Sequence, residues 1–186
     1  MQAHLFIPRP SIAITASRLA AAPLLAFAIL CGWPREIATA LVAYAAASDV
    51  LDGWTARSRG EVSALGAVLD PVADKVFVAT GVALLLFDGT ISGTHVSAAA
   101  IILAREAAVT LLRLDARAQG MAASSSLLAK AKTALQYAAL LLLFAPGFEL
   151  AALLHAIGLA VLWIAAGLSL VTAVLYFMRM RENRWT

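Results

Sequence analysis

Six apolar stretches, each long enough for a bilayer-spanning helix, alternate with short polar breaks along the 186 residues. They read as helices at about 12–32, 37–58, 66–87, 95–117, 124–145 and 150–177. The breaks carry turn or helix-end residues: Trp33-Pro34-Arg35-Glu36, Ser58-Arg59-Gly60-Glu61, Asp88-Gly89-Thr90, Ala118-Gln119-Gly120 and Pro146-Gly147. All are short, so consecutive helices must run antiparallel in one bundle. No repeat, linker or second domain interrupts the pattern, and residues 1–186 read as a single all-α transmembrane domain.

Composition narrows the class. Apolar residues make up 62% of the chain and charged residues 13%, against roughly half and a quarter in soluble domains. A soluble globule of this size cannot hide so much apolar surface. Disorder and a disulfide scaffold are excluded too, since Cys31 is the one cysteine. The segment Pro34-Arg35-Glu36 offers no small-residue cleavage site, so the first stretch reads as a retained span.

Charge then orients the bundle. Arg9, Arg18, Arg57, Arg59, Lys75, Arg113, Arg117, Lys130, Lys132, Arg179, Arg181 and Arg184 lie toward one side, while the opposite loops hold Arg35. Basic residues stay with the cytoplasmic leaflet, which makes both termini cytoplasmic.

Acidic residues inside apolar stretches are costly and demand a reason. Asp49 and Asp52, three apart, lie toward the end of the second stretch, and Asp70 and Asp74, four apart, lie early in the third. Both spacings place each pair on one helix face, and the short intervening turn lets the two pairs face each other at similar depth. Four carboxylates together repel and need positive charge among them. Lys75 and Arg57, adjacent in sequence, neutralise part of it; Mg²⁺ or Mn²⁺, which prefer oxygen ligands, fit better. Gly53, Ala56 and Gly66 leave room for a ligand beside the backbone. A proton- or cation-translocating site also uses intramembrane carboxylates. It would need polar groups across the full thickness, and the first, fifth and sixth stretches supply almost none beyond their ends.

The string Asp49-Val-Leu-Asp52-Gly53-Trp-Thr-Ala56-Arg57, an eight-residue spacer, then Gly66-Ala-Val-Leu-Asp70-Pro-Val-Ala-Asp74 resembles the CDP-alcohol phosphotransferase signature at all eight of its specified positions. Further features are similar to the phosphatidylglycerophosphate synthase branch of that family. They are Leu69 to Lys75, Arg105-Glu106 with Leu112-Arg113, Lys130-Ala131-Lys132-Thr133 with Gln136, and Thr15, Arg18 and Pro23 near the start.

The resemblance implies transfer of a phosphatidyl group from CDP-diacylglycerol to sn-glycerol 3-phosphate with release of CMP. It implies Asp49, Asp52, Asp70 and Asp74 as ligands of two divalent cations, with Asp74 also the general base. Asp49, Asp52, Gly53, Ala56, Arg57 and Gly66 would bind the donor. Arg105, Arg113, Lys130 and Lys132 would bind the acceptor phosphate, for which Arg105 also has the alternative of an ion pair with Glu106. A homodimer in a bacterial cytoplasmic membrane, contacting lipid and no nucleic acid, is the implied setting. Cardiolipin synthase and phosphatidylinositol-phosphate synthase activities remain open within the family, and a small cation or proton transporter outside it.

Overall fold

A computed structural model describes residues 10–59, 66–118, 127–147 and 150–183, with side chains described at 14–49, 72–112, 127–147 and 150–178. Among the described residues there are six helices: α1 (Pro10–Leu30), α2 (Arg35–Arg59), α3 (Gly66–Phe87), α4 (His95–Ala118), α5 (Leu127–Phe144) and α6 (Ala151–Asn183). Each matches an apolar stretch of the sequence. The sixth departs most, because α6 runs on through the arginine-bearing tail as a helix of 33 residues.

Local chemistry explains the boundaries. Pro10 opens α1, where its missing N–H is one that a helix start leaves unpaired anyway. Gly32 closes it at φ 69°, with Trp33 N–H donating to Ala28 O at 2.8 Å and Gly32 N–H to Ile29 O at 3.1 Å. This is the left-handed glycine cap that satisfies the last carbonyls of a helix. Beyond α3, Gly89 takes φ 79° and the Asp88 side chain accepts from Thr90 N–H at 2.9 Å, turning the chain toward α4.

Among the described residues, three helices are long and apolar enough to cross a membrane by length and composition, over His95–Leu112, Leu127–Phe144 and Ala151–Met178, and Ile14–Leu30 forms a shorter apolar stretch. Large apolar side chains face outward from every helix, among them Phe27, Tyr44, Phe87, Leu111, Leu127 and Phe177. An apolar exterior around a packed interior is what a bilayer requires of a protein.

The interior is built from Leu25, Val42, Phe77, Leu85, Ile102, Leu140, Phe144 and Leu162, all essentially inaccessible. α5 packs against α6, α2 and α3, α4 against α6 and α3, and α1 against both α2 and α3. Close approach depends on small residues: a Cβ on Gly158 of α6 would lie 2.9 Å from Leu143 Cδ2 of α5, and one on Gly81 of α3 would lie 3.0 Å from the Leu140 methyls.

Among the described residues α1 packs on both α2 and α3. At the opposite end a polar latch closes the bundle. Arg35 donates to Asp88 Oδ2 at 2.7 Å, Thr90 Oγ1 at 3.0 Å and Leu143 O at 3.2 Å, and Thr39 donates to Phe144 O at 2.8 Å. The start of α2 thereby satisfies carbonyls left open at the end of α5.

Candidate active site

At about 1.5 Å rise per residue, Asp49 lies roughly 15 Å from the Arg59 end of α2, and Asp74 and Arg18 each lie roughly 12 Å from the starts of α3 and α1. The three residues therefore meet at one depth. The Arg18 guanidinium is wholly buried; Nη1 pairs with Asp74 Oδ1 and stands 3.6 Å from Asp49 Oδ1. Its Nε donates to Ser48 Oγ at 3.0 Å, and Ser48 in turn donates to Ala45 O at 2.8 Å. The two aspartate side chains keep 21% and 40% of their surface exposed, against 0% for Arg18. Both carboxylates are thus backed by the guanidinium from inside the bundle and open on their outer side.

Arg18 is the residue that the sequence reading passed over in this role. In sequence it bears on orientation and on the family resemblance, while Arg57 and Lys75, which adjoin the aspartates, offer only partial neutralisation. The available signal was a lone arginine well inside an apolar stretch, a position that calls for an anionic partner.

The side chains of Asp52, Gly53, Ala56, Arg57, Gly66 and Asp70 lie outside the described residues, though α2 and α3 carry their backbones. Among the described residues no group of three or more His, Cys, Asp or Glu could hold a metal, so the described part of the quartet contributes two carboxylates. These two suit a hard divalent cation. They are oxygen donors from separate helices, converging on one point and open on one side. Further ligands would come from Asp52, three residues after Asp49, and Asp70, four residues before Asp74, at spacings that share a helix face.

A second polar cluster joins α4, α5 and α6. Glu106 Oε1 pairs with Lys132 Nζ, lies 3.2 Å from Arg105 Nη1 and accepts from Gln136 Nε2 at 3.3 Å. Arg105 also donates from Nε to Ser169 O at 3.2 Å and from Nη2 to Thr172 Oγ1 at 2.9 Å. All six residues are buried. Two of the four cations expected to bind the acceptor phosphate, Arg105 and Lys132, are therefore brought together, and both share Glu106. Lys130 is exposed at the start of α5, and the Arg113 side chain lies outside the described residues.

The structure corrects the expectation that the first, fifth and sixth helices carry almost no polar groups beyond their ends. They bury Thr15 and Arg18, Lys132 and Gln136, and Ser169 and Thr172. Single Ser, Thr and Gln residues scarcely change the hydropathy of a long apolar run, so the pattern alone does not reveal them. Tyr137 of α5 is buried and stacked on Phe77 of α3. Its hydroxyl has no hydrogen-bond partner among the described residues; the same holds for Glu106 Oε2 and Ser169 Oγ.

The family model for CDP-alcohol phosphatidyltransferase matches residues 10–178. The chain is 37% identical over 171 residues to a CDP-diacylglycerol--glycerol-3-phosphate 3-phosphatidyltransferase of Pseudomonas fluorescens, covering 88% of this chain and 85% of the relative. It is 35% identical over 173 residues to the protein of that name from Rickettsia bellii, covering 91% and 93% respectively. A cardiolipin synthase (CMP-forming) of Oryza sativa subsp. japonica is 35% identical over 185 residues, covering 90% of this chain and 56% of that protein.

Proposed function

The chain belongs to the CDP-alcohol phosphatidyltransferase family, and from that premise we propose that it transfers the phosphatidyl group of CDP-diacylglycerol to sn-glycerol 3-phosphate, releasing CMP. The shared reaction of the Pseudomonas fluorescens and Rickettsia bellii relatives, each matched over about nine-tenths of the chain and most of their own length, carries this reading. Two aspartates converging from α2 and α3 at one depth support it, because an anionic diphosphate needs concentrated positive charge at a fixed place.

The ligand set is Asp49, Asp52, Asp70 and Asp74, holding two divalent cations, Mg²⁺ or Mn²⁺. Held there, the cations neutralise charge on the diphosphate and make the phosphatidyl phosphorus more electrophilic. Asp74 takes the proton of the acceptor hydroxyl as that oxygen bonds to phosphorus and the phosphorus–oxygen bond to CMP breaks. Gly53, Ala56 and Gly66 let the donor lie against the helix backbone, beside Asp49 and Asp52, and Arg57 contacts its phosphates.

The acceptor phosphate is assigned to Arg105, Lys132, Lys130 and Arg113. Arg105 and Lys132 lie buried together beside Glu106, a concentration of cationic donors that favours an anionic ligand nearby. The topology we assign has six spans, one domain over residues 1–186, both termini and the site on the cytoplasmic side of a bacterial inner membrane, and two copies per assembly. The distribution of Lys and Arg supports the orientation.

A second reading is transfer to phosphatidylglycerol, favoured by the similarity to the rice cardiolipin synthase. CMP release by the purified protein, supplied with CDP-diacylglycerol, Mg²⁺ or Mn²⁺ and a panel of acceptors, separates the two. Release that depends on sn-glycerol 3-phosphate is expected; release with phosphatidylglycerol alone overturns the acceptor assignment. Asp74→Asn should lower kcat by at least about a thousandfold, the combined scale of losing a general base and an electrostatic contact, while still inserting in membranes. Turnover within tenfold of the parent refutes the role of Asp74.

A further inference from the structure

We propose that Arg18 is the resident counter-ion of the carboxylate site, holding Asp49 and Asp74 together when no divalent cation is bound and opposing the cation when it arrives. The proposal rests on the metal-site reading above and adds a residue to it.

Two like charges from different helices do not stay side by side in a low-dielectric interior without compensation. In this fold the compensation comes from α1: one guanidinium nitrogen pairs with Asp74 Oδ1 and stands 3.6 Å from Asp49 Oδ1. The position is imposed from behind. Ser48 accepts from Arg18 Nε at 3.0 Å, and the side chain has no exposed surface, whereas both carboxylates keep theirs on the other side. Arg18 is therefore walled into the bundle and reaches the aspartates from within, and a divalent ion reaches the same carboxylates from the open side. Because α1 packs on both α2 and α3, the guanidinium also ties the helices that carry the ligands. Arg18 is thus a positioning residue, acting through Asp49 and Asp74.

Two opposed effects follow. Without metal, removing the charge of Arg18 leaves two carboxylates repelling each other, so the empty protein loses stability. With metal, the same removal deletes a repulsive positive charge. At the effective dielectric of a protein interior, a like charge sharing the same carboxylates would weaken a divalent ion's affinity by a large factor. A tenfold gain is therefore a floor that allows for relaxation of the carboxylates.

The test is Mn²⁺ binding, followed by electron paramagnetic resonance on the full-length protein in phosphatidylcholine nanodiscs without substrate, together with thermal unfolding in EDTA and in saturating Mn²⁺. Arg18→Gln should bind Mn²⁺ at least about tenfold more tightly than the parent, unfold at lower temperature in EDTA, and recover most of that loss in Mn²⁺. Arg18→Lys keeps the charge and should bind Mn²⁺ within about threefold of the parent, the residual difference expected when charge is kept and geometry is not. If Arg18→Gln is recovered only in the presence of Mn²⁺ and unfolds on chelation while the parent does not, the proposal is likewise supported. Unchanged or weaker Mn²⁺ binding by Arg18→Gln overturns it, whatever its stability. A parent protein that takes up no Mn²⁺ defeats the metal-site reading itself, and this proposal with it.

Discussion

Replacing Glu106 by Gln keeps the shape of the side chain and removes the anion at the junction of α4, α5 and α6. The magnitude follows from charge balance. Glu106 Oε1 is shared by Lys132 and Arg105, and all three side chains are at least nine-tenths buried. Losing the carboxylate charge leaves two cations without their shared anion, a situation that costs about 3–5 kcal/mol when one partner of a buried pair is removed. Lys132→Met does the converse. It fills similar volume, removes one cation and leaves Glu106 balanced by Arg105 at 3.2 Å, so the expected loss is about 1–2 kcal/mol, the scale of one charged hydrogen bond. In a chain of this length 1 kcal/mol shifts the melting temperature by about 2–4 °C. Glu106→Gln should therefore lower Tm by roughly 6–20 °C, and Lys132→Met by a few degrees, on that scale. Thermal unfolding of purified protein in detergent measures both. A Glu106→Gln variant within 3 °C of the parent, roughly the shift for 1 kcal/mol, or a larger loss for Lys132→Met, would show that the three charges do not share one buried contact.

Two further outcomes follow from the packing. Arg35→Ala removes donors to Asp88, Thr90 and Leu143 O, and should cost about 1–3 kcal/mol because a helix-end carbonyl loses its partner; urea unfolding in detergent reads this, and no change would show that the latch contributes nothing. Gly158→Ala puts a methyl 2.9 Å from Leu143 Cδ2 and 3.1 Å from Leu142 Cβ, an overpacking expected to cost about 1–3 kcal/mol. A neutral or stabilised Gly158→Ala in the same assay would mean that α5 and α6 separate freely at this level.

The helices were legible in the order of the residues. Stretches the length of a bilayer crossing, broken by Pro, Gly and charged residues, are a one-dimensional signal, and the six helices fall where those stretches do. The aspartate motif was legible for the same reason: Asp49 to Arg57 and Gly66 to Asp74 are spacings along single helices, and helical geometry converts such spacings into shared faces. Tertiary packing alone decided which charges meet. Arg18 is 31 residues from Asp49 and 56 from Asp74 in sequence, and it reaches both because α1 packs on both α2 and α3. Likewise Ser169 and Thr172 meet Arg105 because α6 lies against α4. An ion pair between helices depends on their rotation and depth relative to one another. Those follow from how side chains such as Leu143 and the space above Gly158 interlock, and no periodicity within one segment encodes them.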